Sequence, residues 1–231
     1  MNLGAPNLNQ LWANLLVEEL IRGGIDYFCL APGSRCAPLT TAIASSSRAR
    51  NILHFDERGA AFHALGYGRA TGQPAVMITT SGTAVANVWP AVVEASEDRI
   101  PLIVLTADRP PELHDAGANQ TIDQVKIFGP YVRWQKDLPC PTTEIGPETI
   151  LTTVDQALHR SRCSPQGPVH LNCMFREPLA PASSGEDYGN YLSDLARWEK
   201  SGKPYTTYAP PTQVADADSL RDLAQMANSA A

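Results

Sequence analysis

The chain has 231 residues, 43% of them hydrophobic and 18% charged, with a formal net charge of −6. That is the composition of a globular protein in water, and it leaves no basic stripe for nucleic acid. Apolar runs such as 102–105 are far too short to span a bilayer.

Apolar residues at helical spacing (Leu11, Leu15, Leu16, Leu20, Ile21) predict a helix over 8–23, stopped by Gly23-Gly24. Residues 26–30 predict a short buried strand that ends at Ala31-Pro32-Gly33-Ser34-Arg35, with a helix following over 38–45. A second strand, 51–55, runs into Asp56-Glu57 and an Ala/Gly-rich helix over 58–71. The third strand, 75–79, leads through Thr80-Ser81-Gly82-Thr83 into a helix reaching about Ser96. Residues 101–107 are apolar almost throughout, as in a parallel sheet buried on both faces. Pro, Asn and Gly over 108–129 predict a long loop with a helical turn. A strand over 131–138, a helix over 147–162 and a last strand over 167–174 complete the pattern. Repeated strand–helix alternation predicts an α/β fold with a doubly wound, mostly parallel sheet.

Past residue 178 the composition shifts to Pro, Ser, Gly, Tyr and Asp, so 181–216 reads as a linker with little core of its own. Residues 218–227 predict an amphipathic helix that needs a surface to bury its stripe. The expectation is that 217–231 is the start of a middle domain cut short.

Three strand-to-helix junctions should gather at the carboxyl edge of such a sheet, where ligands bind. Each has two readings. Asp56-Glu57 is either a helix cap with an acid in the first turn or an acid that activates a cofactor. Gly33-Ser34-Arg35 is either a tight turn or a bidentate clamp for a carboxylate. Thr80-Ser81-Gly82 is either an N-cap or a close-approach surface for a flat ligand. Arg109, Asn119 and Gln120 emerge on the same edge, as ligand contacts or as surface residues. Neither G-x-S-x-G nor G-x-G-x-x-G occurs; Gly66, Gly68 and Gly72 lie inside a helix pattern and read as close packing. The five histidines show no metal-ligand spacing. The five cysteines are odd in number, with no CxxC pair, and suit a reducing cytoplasm better than a disulfide framework. The 1–10 segment lacks the look of a secretory leader. Cys36 reads as a structural thiol.

The segments PGSRCAPLT (32–40), HFDERGAAFHALG (54–66), TTSGTAVANVWPAVVEA (79–95), LTADRPPEL (105–113) and GANQTID (117–123) together resemble the N-terminal, pyrimidine-binding domain of thiamine-diphosphate-dependent enzymes. Among these, the chain is most similar to the 2-succinyl-5-enolpyruvyl-6-hydroxy-3-cyclohexene-1-carboxylate synthase (MenD) family, over residues 8–180. The resemblance implies the thiamine-diphosphate-binding fold, with Glu57 as the catalytic acid against the ring nitrogen N1′. It places Pro32, Thr80, Ser81, Gly82, Asn87 and Gln120 by the cofactor, and Ser34, Arg35, Arg109, Asn119 and Gln120 by the substrates. It implies decarboxylation of 2-oxoglutarate and addition of the succinyl-semialdehyde unit to isochorismate, on the route to menaquinone or phylloquinone. It also implies Mg2+ and a cytoplasmic homodimer or homotetramer assembled through this domain. The GDG motif that holds Mg2+ in the family is absent here, so the metal ligands are expected on a C-terminal domain and this chain should be inactive alone. Two alternatives stay open. One is another thiamine-diphosphate 2-oxo-acid decarboxylase or carboligase, against which Arg35 and Arg109 argue if its substrates are small and neutral. The other is a non-catalytic, stand-alone pyrimidine-domain partner.

Overall fold

Six strands, each pairing with its neighbours in parallel, form the central sheet of the computed structural model, which describes residues 5–209 and 214–230. In chain order they are β1 (Tyr27–Ala31), β2 (Arg50–Leu53), β3 (Ala75–Thr79), β4 (Leu102–Asp108), β5 (Trp134–Leu138) and β6 (Pro168–Met174). Their spatial order is β2-β1-β3-β4-β6-β5. The helices around them are α1 (Leu8–Arg22), α2 (Ala37–Ala44), α3 (Glu57–Thr71), α4 (Thr83–Ala86), α5 (Trp89–Glu97) and α6 (Glu148–Arg162). This is the doubly wound parallel sheet that the alternating pattern predicts.

The sheet is held from both faces because successive side chains of a strand point to opposite sides. Phe28, Leu30, Val76, Ile78, Ile103, Leu105, Val169 and Leu171 share one core with Leu11, Leu15 and Leu20 of α1, Leu39 and Ile43 of α2, and Val154 and Leu158 of α6. Cys29, Met77, Leu102 and Val104 face the other way, onto the alanines of α3 and α5. The glycine-packing reading of α3 holds for Gly68 alone. A Cβ there would lie 2.7 Å from the Pro101 carbonyl oxygen, whereas Gly66 faces open space. Gly72 instead ends the helix in the left-handed conformation, at φ 69°.

Two segments differ from expectation. The helix predicted from Thr83 to about Ser96 is broken into α4 and α5, with Asn87 and Val88 between them. Pro90 has no N–H to offer the Ala86 carbonyl, so the run of helical bonds stops there. The stretch read as a linker is docked on the sheet domain. It forms α7 (Gly189–Leu192) and α8 (Ala196–Ser201), and Tyr188, Leu195 and Trp198 join the core above α1 and α6. Three widely spaced apolar anchors suffice for that, although the composition between them is polar. Beyond it, α9 (Ala217–Ser229) has no buried residue and exposes Leu220, Leu223 and Met226.

The docked segment is gripped by two buried carboxyl groups. Trp198 Nε1 donates to Glu19 Oε2 at 2.6 Å, Tyr205 N–H donates to Glu19 Oε1, and Thr206 N–H donates to Asp155 Oδ2 at 2.6 Å. Glu19 and Asp155 are both buried, and each disfavours the charge of the other. Burial, above all, with the neighbouring Asp155 charge, pushes Glu19 from its ordinary 4.5 up to about 8. The native state therefore keeps a proton that the unfolded chain has already lost between those two values. Stability falls as pH rises through that window. Glu19→Gln, which cannot ionise, is expected to flatten this dependence. Urea unfolding on either side of the window checks it: an unchanged slope in the variant rules out Glu19 as the source.

Candidate active site

Strands β1 and β3 are neighbours, yet the chain leaves β1 towards β2 and leaves β3 towards β4. The two loops diverge and open the crevice in which open α/β sheets take ligands. At its base the loops touch. A Cβ on Gly33 would lie 2.6 Å from the Cβ of buried Thr80, so the 32–35 turn passes only because residue 33 is glycine.

The third junction settles which residue caps and which does not. Asp56 is the N-cap of α3, its Oδ1 accepting the Gly59 N–H at 2.7 Å. Glu57, the first helical residue, has no capping duty, and its Oε2 accepts from Asn87 Nδ2 at 3.0 Å. Asn87 reaches it from the break between α4 and α5. The broken helix is thus what presents a side-chain donor to the half-buried carboxylate. Phe55 and Leu53, just before it on the sheet edge, are exposed.

After β3 the backbone enters a region that glycine adopts most easily, Gly82 having φ 80° and ψ −144°. A Cβ there would stand 2.9 Å from Gln120 Cγ. The 117–123 loop folds over this turn. Ser81 Oγ donates to the Gln120 carbonyl at 3.1 Å, and Gln120 Nε2 donates to the Ser81 carbonyl at 3.2 Å. Arg109 ties the two together, donating through Nη1 to Ser81 Oγ and through Nη2 to the Asn119 carbonyl at 3.0 Å. Asn119 contributes its backbone here, and its side chain, like Pro32 and Ser34, stands at the exposed rim.

The electrostatics favour an anion. Arg35 is only 7% exposed; its Nη1 donates to the Phe175 carbonyl at 2.8 Å, its Nη2 lies 3.2 Å from Glu177 Oε1, and its Nε is buried without a partner. Burial, and then the nearby Arg35, pull the Arg109 pKa down. Glu177 is 68% exposed, and Asp108 is already occupied by Asn172 and the Arg109 N–H. Two partly dehydrated guanidiniums with so little counter-charge suit an incoming carboxylate. Cys36 is not a nucleophile here. It is buried, exchanges 3.2 Å hydrogen bonds with the backbone of Gly33, and burial pushes its thiol pKa up. All five cysteines are free.

Sequence reasoning missed Gln124 and Asn172, which hold the site from beneath. Gln124 Oε1 accepts the Gly82 N–H at 2.9 Å. Asn172 left a signal, an amide inside the apolar strand β6. Gln124, in a polar loop, left none.

A carboxylate, a glycine turn and a cation pair thus lie together on the carboxyl edge of a parallel sheet, where such folds take ligands. Residues 12–127 match the family model for the thiamine pyrophosphate enzyme, N-terminal TPP binding domain, and the chain belongs to that family. It is 55% identical over 223 residues to the 2-succinyl-5-enolpyruvyl-6-hydroxy-3-cyclohexene-1-carboxylate synthase of Salinibacter ruber, covering 96% of this chain. Proteins of the same name from Rubrobacter xylanophilus and Chlorobium phaeovibrioides are 57% and 50% identical over 224 and 225 residues, each covering 97% of this chain. In all three cases the chain spans 38% of the length of the relative. Among the described residues no helix is long and apolar enough to cross a membrane.

Proposed function

We propose that this chain is the ring-binding half of a thiamine-diphosphate-dependent carboligase that decarboxylates 2-oxoglutarate and adds the succinyl-semialdehyde unit to isochorismate. The observation that carries the reading is the Glu57 carboxylate, released from capping by Asp56 and aligned by Asn87 on the same edge as the Gly82 turn. The donor set fits an aminopyrimidine: an acid for a ring nitrogen, and a turn without a Cβ beside which a flat ring can lie. Thiamine diphosphate supplies the nucleophilic carbon and the electron sink for decarboxylation. Glu57 shares a proton with the ring nitrogen, and Asn87 keeps one carboxylate oxygen in place while it does so. Thr80, Ser81, Gly82, Pro32 and Gln120 shape the wall beside the ring. Arg35 and Arg109 receive substrate carboxylates, with Ser34, Asn119 and Gln120 at the rim. Both proposed substrates are diacids, in keeping with two cations rather than one.

On this reading residues 8–180 are the pyrimidine domain, 181–216 a connecting segment, and 217–231 the beginning of a further domain. The bare apolar stripe of α9 supports the last of these. Mg2+ and its ligands belong to a part of the enzyme outside this chain, and a cytoplasmic homodimer or homotetramer completes the site on the route to menaquinone or phylloquinone. The test is turnover by the intact enzyme. With thiamine diphosphate and Mg2+, 2-oxoglutarate and isochorismate are expected to give the succinyl adduct by mass spectrometry. Turnover of pyruvate in preference to 2-oxoglutarate would support a different 2-oxo-acid carboligase.

A further inference from the structure

Beneath the Ser81-Gly82 turn lies a run of buried polar side chains that no step above uses. Thr106 and Asp108 on β4, His170 and Asn172 on β6, and Gln124 are all within 1% of complete burial. Burying so many polar groups is costly unless each is satisfied. Here the hydrogen bonds leave one consistent direction. The carboxylates of Asp108 and Asp137 only accept, and Asn172 Nδ2 donates to both, at 2.8 and 3.1 Å. That turns Asn172 Oδ1 the other way, where it accepts from Thr106 Oγ1 and Gln124 Nε2, each at 2.8 Å. With its proton committed, Thr106 Oγ1 accepts from His170 Nε2 at 2.7 Å. Burial pushes the His170 pKa down to about 3, so the imidazole is neutral with its proton on that nitrogen. Gln124 Nε2 spends its second hydrogen on the Ala107 carbonyl at 3.1 Å. Only Oε1 remains to it, and Oε1 takes the Gly82 N–H.

The run ends on the site at both extremities. At one end Asp108 Oδ1 accepts the Arg109 N–H at 2.7 Å. At the other, Gln124 holds the Gly82 peptide in its positive-φ conformation. We propose that Gln124 and Asn172 are positioning residues: they fix the Gly82 peptide, and through Asp108 the root of Arg109, in the orientation that the cofactor ring and the substrate carboxylate meet. The part of this that concerns ligands rests on the reading given under Proposed function. The part that concerns the Gly82 peptide does not.

The experiment has two arms. In the first, amide hydrogen exchange is followed by NMR on the 15N-labelled protein. Gly82 is expected to exchange slowly in the wild type, although it lies in a loop. In Gln124→Met, which keeps the volume and removes the acceptor together with both amide donors, Gly82 is expected to exchange about 10- to 100-fold faster, as for loss of a buried partner. Met77 and Leu105 in the sheet should stay unchanged. Rapid exchange of Gly82 in the wild type overturns the proposal without any variant being needed. In the second arm, calorimetry on the intact enzyme with Mg2+ measures thiamine diphosphate binding. Gln124→Met is expected to weaken it about tenfold. A loosened Gly82 with unaltered binding overturns the positioning role and leaves the run as scaffolding. A wild-type enzyme that takes up no thiamine diphosphate sinks the functional reading and the ligand part of this proposal together, while the exchange arm still decides whether Gln124 holds Gly82.

Discussion

Glu57→Gln in the intact enzyme lowers kcat by about 100- to 10,000-fold, the usual contribution of a positioned general acid–base group. The amide is close to isosteric with the carboxyl group and can still hydrogen-bond a ring nitrogen and Asn87. Thiamine diphosphate affinity should therefore change far less than turnover. That split separates proton sharing from binding. The half-buried setting and the single aligned donor at Oε2 explain why the position is specific. Asp56 caps the helix in either variant, so α3 should remain folded. Steady-state kinetics with circular dichroism as a control checks this, and a variant that keeps near wild-type turnover removes Glu57 from the chemistry.

Arg109→Ala lowers kcat/KM for the diacid substrates by about 10- to 100-fold, as expected for loss of a charge-assisted hydrogen bond. Burial and the neighbouring Arg35 disfavour the charge on Arg109 and lower its pKa, a cost that a bound carboxylate would offset. Its links to Ser81 and to the Asn119 carbonyl also hold the 117–123 loop over the Gly82 turn. Arg109→Lys keeps the charge but lacks the planar fork and should recover only part of the loss. Initial rates against each substrate, with the other saturating, show which carboxylate it serves. No change for either substrate would leave Arg109 a structural tie.

Much of this architecture was legible because apolar runs such as 75–79 and 102–105 are bounded by Pro, Gly and hydroxyl residues, and because continuous apolar strands imply cover on both faces. The three junctions could be ordered along one edge from the alternation alone. Their contacts could not. Pro90 was visible seven residues inside the predicted helix and signalled a break there, but that the break delivers Asn87 to Glu57 was hidden. Tyr188, Leu195 and Trp198 were diluted by polar neighbours, and only the folded chain shows them under one roof with α1 and α6. Gln124 matters through the direction of its hydrogen bonds. Direction is set by partners distant in sequence, Asn172 and Ala107 among them.

The most direct measurement is a crystal structure of the intact enzyme with thiamine diphosphate bound. A Glu57 carboxyl oxygen is expected within about 3 Å of the pyrimidine ring nitrogen, with the ring beside Gly82 and Asn87 still holding Oε2. A ring bound elsewhere, with the Glu57 carboxylate turned out to solvent, would contradict it.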